Sequence, residues 1–313
     1  MAVGRCELSV GLRSFAPVAP STWEPLLDRA ERLDAAGVDR LVVSDHVAFG
    51  EDLDAYGDPA VGGTTGGRQP TGPDGEWLEP LTVLSFVAAR TSQVRLGTNI
   101  LLAALRRPVV LAKTLATLDV LSGGRVDLGV GVGWQRAEYA AAGLDFDERG
   151  RLLDDTLETC RSLWSGDPVP LADRAASSVR ARPTPVRGVD LPVWVSGTVN
   201  GPVARRLARF GSGWIPWGDA AADLPNAVPA MRERVERAGG DPEAFGVVGV
   251  VPVVDVDGVP AAAATLAGVE DLVAAGVTDL RVSWPVAPDP DVDRSQLDTL
   301  VAEFHRRLDG SPS

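Results

Sequence analysis

Three stretches hold residue types that chemistry can use. The first is Asp45-His46, directly after the apolar run Leu41-Val42-Val43. A histidine at the end of a buried strand can donate a hydrogen bond to a carbonyl or pass a proton near neutral pH. The second is Asp119 to Trp134, DVLSGGRVDLGVGVGW, where a strand runs into Gly131, Val132, Gly133 and Trp134. Glycine backbone there lets a flat ligand lie against peptide groups, but the same glycines also suit a plain turn, and the motif alone does not decide. A dinucleotide fingerprint would need glycine where Trp134 stands, so that reading fails. The third is Ser196-Gly197-Thr198, before a helix starting near Asn200. It can offer amides and hydroxyls to an anion, or be an ordinary capped turn.

Thr98 and Asn99 end another strand, whereas His305 lies in the last helix beside Arg306 and Arg307 and is expected to be solvated. No Ser-His-Asp arrangement, catalytic cysteine or metal-ligand cluster is present in the sequence pattern. With so few acid–base groups, the difficult chemistry is assigned to a cofactor.

These residues need a frame, and the periodicity supplies one. Apolar runs at Glu7–Leu12, Asp39–Ser44, Val94–Leu101, Arg125–Val130, Leu191–Ser196, Gly213–Pro216, Val247–Val254 and Thr278–Trp284 read as strands. Each is followed by a helical pattern. Ser21-Thr22-Trp23-Glu24 reads as a capping box for a helix ending at Gly37, and Glu76–Thr91 reads as a helix. Pro108 starts another helix, stopped by Gly123-Gly124. Asp147 can cap a helix carrying Leu153, Leu157, Cys160 and Trp164, and Pro260–Ala275 reads as one helix. Eight strand–helix units predict an α/β fold, a single-domain (β/α)8 TIM barrel over residues 1–313, with its site at the strands' carboxyl ends. Two insertions interrupt it. Residues 47–75, rich in Gly and Pro, suit a lid or binding loop or a disordered surface insertion, and 165–190 is strand-poor.

The chain has 313 residues, 45% of them hydrophobic, which supports a large core. Its net charge of -13, from 30 basic and 43 acidic residues, excludes a nucleic-acid binder and disfavours anionic membranes. Cys6 and Cys160 fit no metal or redox spacing and are expected as buried free thiols. No apolar run reaches membrane-spanning length and residues 1–20 lack a leader pattern, so a cytoplasmic protein is expected.

SDHV (Ser44–Val47), EWLEPLTVLSFVAART (Glu76–Thr91) and VRLGTNILLAALRRPVVLAKTLATLDVLSGGRVDLGVGVGW (Val94–Trp134) resemble the bacterial luciferase-like monooxygenase family. The resemblance is strongest to its branch of oxidoreductases that use the deazaflavin coenzyme F420, and Asp145–Trp164, LPVWVSG and GSGWIPW fit the same branch. It implies a cofactor lying across the barrel mouth, held by Asp45, His46, Thr98, Asn99, Ile100, Gly131, Val132, Gly133 and Trp134 around its ring. Ser196, Gly197 and Thr198 would approach its phosphate. It further implies a non-prolyl cis peptide at Asn99-Ile100, His46 as the catalytic residue at the reactive edge of the ring, no metal, a small-molecule substrate and a homodimer. Two positions depart from the branch's sugar-phosphate dehydrogenases. Gly50 stands where they carry a tryptophan, and Trp134 where they carry an acidic glutamate. Trp134, Trp217 and Trp284 suit either an apolar substrate pocket or the core. The expected activity is hydride transfer between F420 and a small organic substrate. The alternatives are an FMN-dependent monooxygenase and a non-catalytic F420 or flavin carrier.

Overall fold

The computed structural model describes residues 5–170 and 177–309. Eight strands close into a barrel in sequence order: β1 (Glu7–Gly11), β2 (Arg40–Val43), β3 (Arg95–Thr98), β4 (Val126–Val130), β5 (Val193–Gly197), β6 (Gly213–Pro216), β7 (Gly246–Val251) and β8 (Asp279–Val282). All neighbours are parallel, and β8 pairs with β1 to complete the ring. The helices are α1 (Glu24–Ala36), α2 (Pro80–Arg90), α3 (Pro108–Leu121), α4 (Arg136–Ala141), α5 (Arg149–Trp164) and α6 (Gly201–Phe210). They continue with α7 (Asp219–Ala222), α8 (Leu224–Arg237), α9 (Ala262–Thr265), α10 (Val269–Ala274) and α11 (Pro290–Asp309). The expected barrel is therefore the fold.

Strand side chains alternate between two environments. Leu8, Val10, Leu41, Val43, Leu96, Leu128 and Val130 are buried in the main apolar core. The alternate positions point inward, and several of them are charged. Arg40 donates to Asp127 at 2.7 Å and also pairs with Asp279 and Glu7. Arg95 donates to Asp127 at 2.6 Å, and Arg281 donates to Asn99 Oδ1 at 2.8 Å. Trp194, Ile215 and Val248, with Ile100 against them, form a second apolar cluster. The Arg40 guanidinium sits 5.0 Å from the Trp194 ring centroid.

Several local expectations are corrected. Helix α1 begins at Glu24 without the capping box, because the Thr22 hydroxyl accepts from the Glu24 amide at 3.1 Å and the Glu24 carboxylate is engaged by Arg90 of α2. The segment Glu76–Trp77 is a strand paired antiparallel with Phe15–Ala16, and α2 starts only at Pro80. Proline forces the residue before it to be extended and fits the first helical turn, so Glu79 becomes the cap, accepting from Thr82 N at 2.7 Å. Asp147 does not cap α5. Asp145 accepts from the Asp147 amide at 2.9 Å, while the Asp147 carboxylate pairs with Arg136. The expected helix over 260–275 is split into α9 and α10 by Gly268, whose φ of 84° leaves the helical region. In the 165–190 insertion, Val169–Pro170 and Ser178–Val179 pair as a short antiparallel ribbon, and residues 171–176 lie outside the described residues. Cys6 and Cys160 are free and buried, and burial pushes both thiols up to about 12.

Asp127 shows how the interior is balanced. Burial alone would push its carboxyl up, but Arg40 and Arg95 override that and hold it below its ordinary value of 3.8. A depressed folded value contributes stability above pH 3.8 that is lost as pH falls through the folded value. Asp127→Asn is expected to cost about 3–5 kcal/mol at neutral pH, because the buried Arg40 and half-buried Arg95 guanidinium groups lose their shared partner. Urea unfolding across pH should show the gap between variant and wild type narrowing below 3.8.

Candidate active site

At the carboxyl ends of the strands, His46 extends from the loop after β2. Its ring lies 4.4 Å from Phe49, 4.9 Å from Trp77 and 5.9 Å from Trp134, centroid to centroid. The wall behind Trp77 is the 15–16/76–77 ribbon, in which Phe15 stacks on Trp77 at 4.2 Å. Only one carboxylate reaches the imidazole among the described residues: Glu138 of α4, with Oε2 3.4 Å from His46 Nδ1. The other oxygen of Glu138 accepts from the Val47 amide at 2.5 Å, and Glu138 is buried. One side chain thus grips both the histidine and the backbone that carries it.

Asp45 points elsewhere. Its carboxylate accepts from Leu102 N at 2.8 Å and from both terminal nitrogens of Arg106, at 2.5 and 3.0 Å. Burial pushes the Asp45 carboxyl up, and Arg106 and the Leu102 amide pull against it. The residue therefore ties the end of β2 to the segment after β3. That segment contains the expected cis peptide, Asn99-Ile100. The Asn99 side chain is bound from below by Arg281, and Ile100 lies over Gly131, where an added Cβ would be 2.7 Å from the isoleucine side chain. Thr98 is buried and its hydroxyl donates to the Gly129 carbonyl at 2.7 Å.

The glycines after β4 make room for neighbouring side chains: a Cβ at Gly133 would lie 2.7 Å from Leu102, as one at Gly131 would from Ile100. Gly133 takes a φ of 69°, a conformation that side chains disfavour. The Val132 carbonyl accepts from the Tyr139 hydroxyl at 2.8 Å, and Trp134 turns inward with 5% exposure. After β5, Ser196 stands beside Gly131, 3.6 Å from its ideal Cβ. Gly197 and Thr198 then lead to α6, whose first turn is capped by Asn200 accepting from Val203 N at 2.9 Å. The Thr198 hydroxyl accepts from Asn200 Nδ2 at 3.0 Å.

The 47–75 insertion is an ordered lid over this mouth. Tyr56 packs edge-on against Trp134 at 5.4 Å and against Trp217 at 6.2 Å. Trp217 Nε1 donates to the carbonyls of Gly62 and Gly63 at 3.0 and 3.2 Å. Burial pushes the Tyr56 phenol up. Of the three tryptophans, Trp134 and Trp284 are buried and Trp217 latches the lid.

The structure brings His46, Asn99, Ile100, Gly131, Trp134 and Ser196 to one rim, whereas the Asp45 and Thr98 side chains are spent on structural bonds. Sequence reasoning missed Glu138, Arg106, Tyr56, Phe49 and Trp77. Glu138 is the one acid in a six-residue helix, too short for its periodicity to signal burial.

The chain matches the luciferase-like monooxygenase family over residues 9–277. It belongs to that family. Over 249 residues it is 30% identical to an F420-dependent glucose-6-phosphate dehydrogenase of Gordonia bronchialis, covering 76% of this chain and 66% of that one. An uncharacterised protein of Mycobacterium tuberculosis is 25% identical over 283 residues, 87% of this chain and 90% of its own. Among solved structures, an F420-dependent secondary alcohol dehydrogenase bound to an F420–acetone adduct superposes with a TM-score of 0.70 at 19% identity, covering 96% of this chain and 99% of that one. Riboflavin lyase with modified FMN and riboflavin gives 0.73 at 14%, covering 99% and 93%. These two likenesses show the shared luciferase-like fold.

The departure at Gly50 has a physical cause. Its amide donates to Gln135 Oε1 at 2.9 Å, and a Cβ there would lie 2.5 Å from that of Ala137. The position is pressed against the start of α4 and has no space for a tryptophan.

The lid latch can be tested directly. Trp217→Phe removes the indole donor and keeps the ring, so the segment should open more easily by about 1 kcal/mol. Amide hydrogen exchange over residues 56–64 is then expected to quicken roughly fivefold, with no change in the strands.

Proposed function

We propose that this luciferase-like protein is an oxidoreductase that transfers a hydride between F420 and a small organic substrate. The observation that carries the reading is a histidine held by Glu138 at the carboxyl-end rim of the barrel, in a chain 30% identical to an F420-dependent enzyme. The residues fit the cofactor. Gly131 and the Ile100 side chain offer a flat apolar seat for a ring. Ser196, Gly197 and the start of α6 offer donors to its phosphate.

F420 would supply a carbon that takes up or gives a hydride in its central ring. The chain's own residues do the rest. His46 provides one ring nitrogen to hydrogen-bond at the reactive edge or to move a proton, because its other nitrogen faces Glu138. Phe49, Trp77 and Trp134 surround the imidazole with rings, and the lid excludes water from above. Sugar-phosphate oxidation is not part of the proposal. Position 50 cannot take that branch's tryptophan, and its acid is replaced by a buried indole.

Fluorescence titration with F420 and, separately, with FMN tests the cofactor. Saturable F420 binding with little FMN binding is the expected result, and the reverse preference would move the protein to oxygen-dependent flavin chemistry. His46→Ala should keep F420 binding and lower turnover about 10²–10⁴-fold. Unchanged turnover would remove His46 from the mechanism.

The protein is also proposed to form a homodimer through its barrel-side helices. Phe86 of α2 and Leu121 of α3 are 62% and 78% exposed, and Val109 and Val110 add to the apolar surface. Light scattering should give twice the chain mass, falling to one chain in Phe86→Asp/Leu121→Asp.

A further inference from the structure

We infer that Glu138 is a positioning residue that fixes the tautomer of His46, with the proton on Nδ1 and the lone pair on Nε2. His46 Nδ1 is fully buried and has no hydrogen-bond partner, and the carboxylate beside it is that of Glu138, with Oε2 at 3.4 Å, too long for an ordinary bond. Leaving a buried polar atom unpaired is costly, and a small rotation of the ring closes this gap to an ordinary N–H···O bond. The opposite tautomer would place the Nδ1 lone pair against a carboxylate oxygen in a site closed to water.

Glu138 cannot turn away to relieve that clash. Its Oε1 accepts from the amides of Val47 and Ala48, at 2.5 and 3.4 Å, directly after the histidine. The remaining faces of the imidazole meet uncharged rings, those of Phe49, Trp77 and Trp134. The neighbouring Asp45 carboxylate is neutralised by Arg106. Glu138 is thus the one charge that selects the tautomer.

The consequence is directional. A neutral imidazole in water prefers Nε2–H, which would make the ligand-facing nitrogen a donor. Here it is an acceptor, so the group opposite it must bring a hydrogen, as a hydroxyl or an N–H. This deepens the reading of His46 as the ligand-facing residue and rests on it.

The chain has only two histidines, which makes the test clean. Long-range proton–nitrogen spectra of ¹⁵N-histidine-labelled protein are recorded at a pH where imidazole is neutral, with His305→Ala assigning the signals. His46 is expected as Nδ1–H in the wild type. In Glu138→Gln the amide can keep its oxygen on Val47 N and turn its NH₂ towards Nδ1, so the signal should switch to Nε2–H. An Nε2–H wild type would overturn the inference without needing any variant, and an unswitched variant would overturn the role of Glu138. F420 titration of the same samples reads the proposed function separately, since the tautomer is measured without cofactor.

Discussion

The barrel depends on a set of charges in its interior, buried at Arg40, Asp127, Asp279 and Arg281 and half-buried at Glu7 and Arg95. Arg40, Arg95 and Arg281 face Glu7, Asp127 and Asp279 across the interior, three cations against three anions. Bringing such groups out of water is expensive, and only near-complete mutual pairing recovers the cost. These pairs link strands that are adjacent or one apart around the ring, from β8 through β1 and β2 to β4. The network also reaches the functional rim, because Arg281 extends from it to the Asn99 side chain. The floor of the mouth is therefore set by electrostatics from below, before any ligand contributes.

Above that floor the construction changes. The rim is held by side chains that each connect two segments: Asp45 joins β2 to the segment after β3, and Glu138 joins α4 to the loop after β2. Aromatic rings fill the remaining space around His46, where neutral surfaces leave the influence of one carboxylate undiluted.

Much of this was legible in the sequence. Eight apolar runs with helical intervals gave the barrel, and the strand ends gave the rim, because both follow from short-range periodicity and chain order. The glycine run and the histidine after β2 were visible as residue types in meaningful places. Glu138, Arg106 and Tyr56 were not, since their roles come from partners distant in the sequence: Val47 is 91 residues from Glu138, Asp45 is 61 from Arg106 and Trp134 is 78 from Tyr56. Boundaries went astray where a tertiary partner outbid a local signal: Arg90 holds the Glu24 carboxylate, and the ribbon to Phe15–Ala16 claims Glu76–Trp77. Asp45 illustrates the same limit. The resemblance put it beside the cofactor ring, and only the fold reveals the arginine that its carboxylate binds.

The lid has a further consequence for how such a protein can diversify. It is one continuous insertion, and its C-terminal base is closed by the ribbon between Phe15–Ala16 and Glu76–Trp77. Its N-terminal end is tied to α4 by Glu138 and Gln135, and its middle to the mouth by the contacts of Tyr56 and Trp217. The interior charge network contains no lid residue. Lengthening or replacing such a loop adds closure entropy only slowly. Change in this segment can thus reshape the mouth while the charged interior beneath it stays intact.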